Sequence, residues 1–525
     1  MKFKQSSFLF IVTLILALSA VSCSDIWDEH YNSEPLNKSS QNLYQFISQD
    51  TLLTKFAEML RTTGYDSILS QSQSFTVWAP INASLKAVDI NDSVQVKNIV
   101  ENHITRFSYS TSILITAGKT LRMFDDKLLK FEKGTTGFTF GGKPIIKSDL
   151  AMQNGIIHII GEYAPYTLNF WEYIEQTPGL DSLSVYLKSL NVKTYDPVAS
   201  FQDGVFVDSA YKTTNIVLDR LAALKTEDST YTAILPNNDA WNEAYNRIAP
   251  YFKSTVAEGG DVSQAKYAKI TLVKDLFFRG RLTNSFSELD TLKSTNGLKL
   301  GNPGRLFTGA QKAELSNGYG YVTNKINIEA KESWLPEIRV EAEAASFETL
   351  DLANYTQNNM SALGTGYSVS RGRYLKAESK TQSSGSTLYV NFQIPNTLAA
   401  KYNIYCVFVP ASITSPTDGR PNKVKFFLQY VDATGKLINY AGIDANNNVT
   451  TSTTLASAAI FTTTPFVVHK MLVAKDVVFP FCNLISQPRA KVVLRVRNEA
   501  GVTGAELVNF SRNLLIDCII LEPVQ

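Results

Sequence analysis

The sequence predicts a multidomain chain in which two related α+β domains precede an all-β jelly-roll or β-sandwich domain. A repeat predicts the first part, because FTVWAPINASL at 75–85 returns as YTAILPNNDAW at 231–241 with threonine, proline and asparagine at matching places. A change of pattern predicts the last part, because after Pro336 short alternating strands follow one another between turn residues. The 525 residues leave room for about three domains of roughly 150 residues each.

The N-terminus predicts export to the cell envelope. A basic start precedes an apolar run over 8–21, which is too short to cross ~30 Å of hydrocarbon as a helix. This order is typical of a secretory signal peptide, here 1–22. Cys23 then resembles the lipidated cysteine of Bacteroidota lipoproteins, and acidic residues in the tether 23–40 resemble their surface-export signal. The alternatives are an ordinary signal peptide with a chance cysteine, and a tether that is merely solvated.

Composition and motifs exclude several classes of function. The formal net charge is +2 without a long charge run, so we expect no nucleic-acid partner. The sequence has no Gly-rich phosphate loop, HExxH or GxSxG pattern, so we expect no enzyme activity. If Cys23 is lipidated, three cysteines remain. Cys406 and Cys518 lie in apolar strand-like runs, which favours buried free thiols, with a bridge between the two as the alternative.

The first copy of the repeat has the pattern of an α+β domain. FTVW alternates as a strand does, Pro80 ends the strand, and Asn82 follows as the expected cap of a short helix. The stretch QVKNIVENHITRF places His103 on the apolar stripe of a helix. Further along, Asn154-Gly155 predicts a hairpin because both residues tolerate positive φ.

These motifs resemble the fasciclin (FAS1) domain family. The first family motif corresponds to 75–85, the mid-domain pair to Asn102-His103 with its tyrosine replaced, and the second motif to 154–160. The resemblance covers 41–167 and implies an α+β fold, a β-wedge packed with helices. It also implies a role in adhesion and in protein or glycan contacts, without catalysis.

The second copy, 168–335, resembles the same family but is divergent. It repeats the opening helices and keeps Asn317-Gly318 in the second motif, yet Tyr321 stands where the first copy has His158. Its mid-domain helix contains no histidine. The two histidines of the first copy are either a functional site or buried hydrogen-bonding groups. We favour the structural interpretation, because the second copy keeps the same outline without them.

The last part, 336–525, resembles jelly-roll carbohydrate-binding modules of the galactose-binding-like kind at its two ends, VEAEA and LLIDCIIL. In some of those families acidic side chains of the first and last strands hold a structural calcium ion. The resemblance therefore implies a Ca²⁺ site at Glu341, Glu343 and Asp517, whose hard oxygen ligands suit this ion. The alternative is that the two glutamates face solvent and that the aspartate pairs with an arginine.

A glycan ligand would stack on exposed aromatic side chains. The best candidates lie in the Gly/Ser/Asn-rich region NYTQNNMSALGTGYSVSRGRYLKAES, which we expect to be a loop. The alternative is that these residues take part in ordinary packing. The predicted ligand-binding residues are Tyr355, Tyr367, Arg371, Arg373 and Tyr374.

The sequence thus favours a non-catalytic outer-membrane lipoprotein, exposed at the cell surface, that acts in glycan binding or adhesion. Its expected partners are the membrane through a lipid on Cys23, a polysaccharide, and an outer-membrane transporter for nutrient uptake or another envelope protein. The only cofactor we expect is structural calcium. The alternative is a structural envelope protein whose sandwich binds proteins and has no glycan ligand.

Overall fold

The structure, a computed structural model, describes residues 39–524 with gaps at 115–117, 203–204, 284, 346, 350–352, 360–365, 381–386, 451, 453, 455–457 and 485–490. Cys23, the predicted signal peptide and most of the predicted tether lie outside the described residues. Among the helices that are described, none has the length and apolar character needed to cross a membrane. The chain divides into two compact units. One contains the first repeat up to Asn169 with Thr226–Asp228 and Leu315–Asn317, and the other contains the rest.

The first repeat is one seven-stranded sheet with helices. Its helices are α1 Leu43–Gln49, α2 Thr54–Thr62, α3 Tyr65–Leu69 and α4 Ser93–Glu101, and its strands are β1 Phe75–Pro80, β2 Ile104–Arg106, β3 Lys119–Arg122, β4 Leu128–Gly134, β5 Gly137–Phe140, β6 Lys143–Met152 and β7 Gly155–Ile160. The strand order is β2-β1-β7-β6-β5-β4-β3. Only β1 and β7 pair in parallel, and the other neighbours are antiparallel.

Both faces of the two parallel strands are buried along their whole length, so the alternation expected of FTVW does not mark a solvent-exposed face. Val77 and Ile157 pack in the core that includes the helices. Trp78 points to the opposite face, where its ring stacks on Phe140 with 4.1 Å between ring centroids. The repeated first motif is therefore the central strand of the domain.

Asn82 has a different role from the one the sequence predicts. Residues 82–87 form turns and no helix, so there is no following helix to cap. Instead the Asn82 side-chain oxygen accepts the Lys55 backbone N–H at 2.8 Å, and its amide group donates to Thr51 O at 2.9 Å. The residue therefore ties the end of β1 to the start of α2, a long-range cap that local sequence rules do not contain.

The Asn154-Gly155 hairpin forms, but for another reason than the one predicted. Met152 pairs with Gly155, and only the glycine has positive φ, at 155°. A Cβ on Gly155 would lie 2.0 Å from the carbonyl oxygen of Phe75 on the neighbouring parallel strand. Asn154 is buried and accepts the backbone N–H of Leu43 at 2.8 Å. The pair thus permits close approach of β7 to β1 and anchors α1 to the sheet.

The second repeat has the same central arrangement. Its helices are α5 Phe170–Gln176, α6 Asp181–Ser189, α7 Ile216–Arg220, α8 Asn238–Ile248, α9 Gly260–Val273 and α10 Gly304–Phe307, and its strands are β8 Asn191–Tyr195, β9 Phe201–Gln202, β10 Val205–Phe206, β11 Tyr211–Asn215, β12 Tyr231–Pro236, β13 Phe277–Arg279, β14 Thr291–Lys293, β15 Lys299–Gly301, β16 Gln311–Leu315 and β17 Gly318–Thr323. The main sheet runs β13-β12-β17-β16, and β12 pairs in parallel with β17. Tyr231 faces Gly318 just as Phe75 faces Gly155 in the first repeat.

The last part of the chain is a β-sandwich. Its elements are β18 Ile338–Glu341, β19 Phe347–Thr349, β20 Ala353–Asn359, β21 Arg373–Ser379, β22 Tyr389–Gln393, β23 Lys401–Phe408, β24 Lys423–Val431, β25 Leu437–Gly442, β26 Phe461–Thr462, β27 His469–Val478, β28 Val493–Asn498, α11 Gly504–Asn509 and β29 Leu514–Val524. One sheet runs β20-β21-β29-β23-β27 with β18 on β29, and the other β19-β22-β28-β24-β25 with β26 on β24. Phe408 and Phe426 meet in the core between them. The predicted fold class, α+β followed by a sandwich, is confirmed.

Of two local expectations for the sandwich, the loop is corrected and the buried free thiols are confirmed. The region expected to be a loop contains the paired strands β20 and β21, in which Leu375 and Ala377 are buried while Lys376 is not. The thiols of Cys406 and Cys518 are both free and buried. Cys406 pairs with Ile519, so Cys518 projects to the other face of the sheet, and the register explains why no bridge joins them.

The second repeat and the sandwich belong to one unit and share backbone hydrogen bonds. Cys482 N donates to Lys253 O and Ala399 N donates to Tyr251 O, each at 2.8 Å. Beside them, Lys491 Nζ lies 2.7 Å from Glu258 Oε1 in an ion pair. The sandwich therefore packs against the second repeat and is not an isolated domain.

We expect Gly155→Ala to destabilise the first repeat by at least about 3 kcal/mol, because the new Cβ meets the Phe75 carbonyl and the backbone φ is unfavourable. Hydrogen exchange of the β1 and β7 amides measures this loss. Gly142→Ala is the matched control, since its φ is also positive, at 77°, but nothing lies within 4 Å of its Cβ position. Equal effects of the two substitutions would contradict the close-approach argument.

Candidate functional site

A buried acidic cluster lies where the first and last strands of the sandwich meet. β29 pairs with β21 along its first residues and with β18 from Cys518 onward, so Asp517 falls between the two partners. On the other side, the register against β23 skips Asp517, which is the extra residue of a β-bulge. Bulges redirect side chains and often lie next to functional sites. Glu341 ends β18 opposite Cys518, and Glu343 follows in the next turn.

Of the three predicted calcium ligands, Glu341 and Asp517 are brought together, beside Cys518, and Glu343 is buried in the turn after β18. Glu341, Glu343 and Asp517 are 8%, 5% and 4% exposed. The Ser370 backbone N–H donates to both carboxylate oxygens of Asp517, at 3.0 and 3.1 Å, and its hydroxyl donates to Glu341 Oε1 at 2.7 Å. Oxygen Oε2 of each glutamate is buried and has no hydrogen-bond partner among the described residues. One ligand atom each of Glu341, Asp517 and Cys518 lies within 4.8 Å of the others.

The electrostatics of this cluster favour a cation. The pKa of Asp517 is raised to about 6, chiefly by burial and then by the charges of Glu341 and Glu343, while the Ser370 N–H and the Arg339 guanidinium act to lower it. One cation close to the cluster is the exposed Arg371, whose Nε lies 3.5 Å from Glu341 Oε1. Buried carboxylates without full compensation are costly. The orphaned carboxylate oxygens are the hard donors that Ca²⁺ takes, whereas the neighbouring thiol of Cys518 is not such a donor.

Two of the predicted glycan-binding residues pack against the protein itself. Tyr374 is fully buried among Val409, Ile413 and Leu515, so its ring has no face open to a ligand. Tyr367 is half-buried against the same cluster, and its hydroxyl lies 2.7 Å from the Ser412 hydroxyl. The positions of these two tyrosines therefore fit the alternative given above, ordinary packing, and not an exposed ligand site.

The other three predicted residues are exposed but not assembled into one cleft. Tyr355 is 58% exposed on the edge strand β20, where it pairs with Ala377. Arg373 is exposed at the start of β21. Arg371, with φ of 50°, lies beside Glu341 and so belongs to the acidic cluster. Tyr355 and Arg373 remain the candidates from the predicted set for a surface contact.

The outer face of the second sheet carries an aromatic and cationic cluster that sequence reasoning missed. The Arg495 guanidinium carbon lies 4.4 Å from the ring centroid of Tyr389 and 3.6 Å from that of Tyr440. Arg495 Nε donates to Asn391 Oδ1 at 2.8 Å. Arg497 lies two residues further along the same strand and pairs with Glu499 at 2.8 Å. We call Tyr389, Asn391, Tyr440, Arg495 and Arg497 the Arg495 face.

The alternating sequence of β28, VLRVRN, indicates part of the Arg495 face. Val496 is buried between Arg495 and Arg497, which are half-buried, so the strand turns both arginines to one side. Tyr440 could not be placed from sequence, because it comes from β25 and has φ of 56° beside an irregularity in the β24–β25 register.

The two histidines of the first repeat are buried hydrogen-bonding groups. His103 Nδ1–H donates to Ile99 O at 2.6 Å, and its Nε2 accepts the Ala164 N–H at 2.9 Å. His158 Nε2–H donates to Tyr109 O at 2.9 Å. Because His103 is bonded at both nitrogens and fully buried, the neutral tautomer suits it, and burial lowers the pKa of His103 to about 4.

The fold and these sites define a multidomain protein in which a fasciclin-type α+β domain is combined with a β-sandwich. Residues 51–163 match the Fasciclin domain family, so the first repeat is a fasciclin domain. The curated protein ig-h3 of Sus scrofa, induced by transforming growth factor-beta, is 24% identical over 143 residues, 25% of this chain and 20% of that protein. The chain therefore spans about a fifth of that relative.

Solved structures are similar to two parts of the chain. A FAS1 domain pair from the insect cell adhesion molecule fasciclin I is 15% identical, with 54% of this chain and 98% of that chain covered and a TM-score of 0.21. The C-terminal family 22 carbohydrate-binding module of Clostridium thermocellum Xyn10B is 11% identical, with 35% and 91% covered and a TM-score of 0.20. Fasciclin domains occur in secreted or cell-surface proteins.

We expect the first repeat to lose stability as the pH falls from about 6.5 to 4. In this window the unfolded chain takes up a proton on His103 and the folded domain does not, so the free energy of unfolding falls by about 2 kcal/mol at pH 5. His158 acts in the same direction, because burial lowers its pKa too. Hydrogen exchange of β7 amides at pH 7 and pH 5 measures the change.

The second repeat is the internal control, because Tyr321 faces Ile234 where His158 faces Trp78. Amides of β17 should not show the same loss between pH 7 and pH 5. A β7 whose protection is independent of pH would mean that the histidines are charged or solvated in the folded domain.

Proposed function

We propose that the protein is a non-catalytic surface lipoprotein of the outer membrane that binds glycan through its sandwich domain. The observation that carries this proposal is Arg495 held between Tyr389 and Tyr440 on an outer sheet face. Glycan recognition commonly combines aromatic faces, which pack on sugar rings, with planar donors for hydroxyls or carboxylates. The Arg495 face offers both.

The rigidity of the Arg495 face supports ligand binding. A guanidinium fixed by two rings and by Asn391 loses little side-chain entropy when a ligand arrives. Among the described side chains, Arg495 contacts two tyrosine rings and Asn391, and the carboxylate of Glu499 is paired with Arg497. We therefore expect uronate-bearing polysaccharides to bind more tightly than neutral ones. Tyr355 and Arg373 are the second candidate contact, at the edge of the other sheet.

The N-terminal part supplies anchoring and docking in this proposal. Cys23 carries the lipid, and the tether 23–40 spaces the folded domains from the membrane. The fasciclin domain and its divergent second copy serve as a stalk and docking surface, with a nutrient transporter of the outer membrane as the partner. The cell-adhesion protein among the similar structures bears a fasciclin pair as well.

Structural calcium completes the sandwich in this proposal. Glu341, Glu343 and Asp517 would hold the ion through carboxylate oxygens, and the ion would offset their buried charge. The ion would also tie β18 to β29 next to the bulge. It has no part in ligand chemistry.

The alternative function is a structural envelope protein without a glycan ligand. The observation that favours it is the contact of the sandwich with the second repeat, through backbone bonds at Cys482 and Ala399 and the Lys491–Glu258 ion pair. A sandwich committed to such packing would extend a protein-binding stalk. The binding experiment below separates the two functions.

We expect the chain from Ser24 onward to bind at least one polysaccharide saturably in a panel of paired neutral and uronate-bearing polymers. Arg495→Ala should weaken this binding at least about tenfold, because one charge-assisted bidentate contact contributes roughly 1.5–3 kcal/mol. Arg495→Lys should recover only part of the loss, since an ammonium group cannot stack between two rings. Affinity electrophoresis and calorimetry measure both.

Lys470→Ala is the matched control, because Lys470 also lies over a tyrosine ring, 4.3 Å from the Tyr405 centroid, but on the other sheet. It should bind like the wild type. If Tyr355→Ala removes binding and Arg495→Ala does not, the site lies at the β20 edge. If no polymer binds, the structural alternative is favoured.

We expect Ca²⁺ to raise the melting temperature of the chain and EDTA to lower it. The stabilisation is roughly 2.7 kcal/mol at about a hundredfold excess of calcium over its Kd. Asp517→Asn should abolish the response, because it removes a ligand charge. Asp476→Asn, which changes an exposed carboxylate of the same sheet, should preserve it. Calorimetric melting with each variant is the measurement.

The calcium response should be larger at pH 7 than at pH 5. The raised pKa of Asp517 means that the metal-free folded state gains a proton more readily than the unfolded chain, so acidification below about 6 relieves its buried charge. If calcium does not change the melting temperature at either pH, the metal site is contradicted, and the glycan proposal is unaffected.

A further inference from the structure

A groove on the surface of the second repeat lies between three of its helices. Helix α6 lines it with Asp181, Val185 and Tyr186, α8 contributes Trp241, and α9 contributes Lys269. We call these five residues the α6 groove. Its volume is about 400 Å³, which is in the range of small-ligand sites. It shares no residue with the Arg495 face or with the acidic cluster of the sandwich.

The first repeat has a smaller groove at the matching place. In the second repeat the Ser182 N–H donates to Asn238 Oδ1 at 2.9 Å, which repeats the bond from the Lys55 N–H to Asn82 Oδ1 in the first. These equivalent bonds align α6 with α2, and the side of α2 that begins with Lys55 lines a groove of about 120 Å³. The recess is therefore common to the two repeats, and its larger volume is particular to the second.

Opposite charges lie at the two ends of the α6 groove. Asp181 Oδ2 accepts the side-chain amide of Asn238 at 3.1 Å and the Gly179 N–H at 3.2 Å, so the carboxylate is held beside the first residue of α8. These hydrogen bonds lower the pKa of Asp181 and keep it ionised. Lys269 Nζ lies 5.9 Å from the ring centroid of Tyr245, seven residues further along α8, and forms no ion pair with the described residues. Seven residues span about 10 Å of helix.

The floor of the α6 groove is apolar but offers no open ring face. Tyr186 and Trp241 are 7% and 5% exposed, and their rings are tilted against each other with 5.4 Å between centroids. Most of each ring is therefore covered, which does not suit the stacking of a sugar ring. Val185, 67% exposed, adds an aliphatic wall. The middle of the groove is thus suited to an aliphatic side chain.

We propose that the α6 groove binds a short free peptide of about three residues. Three extended residues span about 10 Å, which matches the separation of the two charges along α8. The α-ammonium group would lie at Asp181, the α-carboxylate at Lys269, and a central aliphatic side chain would pack on Val185. A segment inside a longer chain has no charged termini, so a free peptide is favoured over a protein segment. The proposal concerns the second repeat alone and does not depend on glycan binding.

The test uses the tripeptide Ala-Leu-Ala as the probe, with the chain from Ser24 to Gln525, which keeps every described residue. Calorimetric titration should show saturable binding. N-acetylation and C-amidation of the peptide should each weaken binding about fivefold, which is the upper end for a solvent-exposed ion pair. Arg495→Ala should leave peptide binding unchanged, so this result is separate from that of the glycan experiment.

Two variants connect each terminus to its partner. Lys269→Gln should weaken binding of the free tripeptide about fivefold and leave binding of the amidated peptide unchanged, because the variant and the amide remove the same contact. Asp181→Asn should act in the same way with the acetylated peptide. The matched control is Lys266→Gln, which changes an exposed lysine of α9 that does not line the groove and should bind like the wild type.

Three outcomes would overturn the proposal. The first is that Ala-Leu-Ala does not bind saturably. The second is that both blocked peptides bind as tightly as the free one, or that Lys269→Gln weakens the free and the amidated peptide equally. The third is that a neutral xylo-oligosaccharide binds and Asp181→Asn removes this binding, which would make the groove a glycan site.

Discussion

The parallel pairing of two buried strands is the constraint on which both repeats depend. In each, the strand of the first motif lies against the strand of the second, and the first residue of the later strand faces a backbone carbonyl. A Cβ there would lie 2.0 Å from Phe75 O at Gly155 and 1.9 Å from Tyr231 O at Gly318. The glycine permits the approach, and the approach closes the core on both faces. Helices and outer strands are arranged around that contact.

Much of the fold could be predicted because buried apolar residues recur in the sequence with the period of a strand or a helix. The alternating strands expected after Pro336 exist, since they have apolar residues facing a core, as LLIDCIIL does in the central strand β29. Strands β20 and β21 were missed because an edge strand such as ANYTQNN buries little and has the composition of a loop. The cap at Asn82 was misassigned because its partner, Lys55, is distant in sequence. The acidic cluster could be proposed from the sequence of its two strands. The Arg495 face could not, because its residues come from three strands whose pairing register the sequence does not give.

Two residues of the candidate sites in the sandwich lie beside irregularities in strand pairing. Asp517 lies where β29 changes partner and where its register against β23 skips, and Tyr440 adopts positive φ beside a second irregularity. A regular ladder would direct each side chain either into the core or to solvent. An extra residue allows a carboxylate to be buried but aimed at its neighbours, at a cost that the proposed cation would offset.

The second repeat differs from the first both in its surface and in the side chains that fill its core. Tyr321, which takes the register position of His158, packs edge-on against Phe307 with 4.8 Å between ring centroids, and Phe307 stacks on Phe286 at 3.7 Å. Aromatic packing thus replaces hydrogen bonds made by a histidine, and the pH sensitivity that a buried imidazole brings is lost there. The second repeat also differs from the first in the longer connection between α6 and α7, residues 190–215, and in its contact with the sandwich. The second repeat contains no histidine, so the packing that holds it against the sandwich does not weaken through protonation of an imidazole as the pH falls below about 6.5.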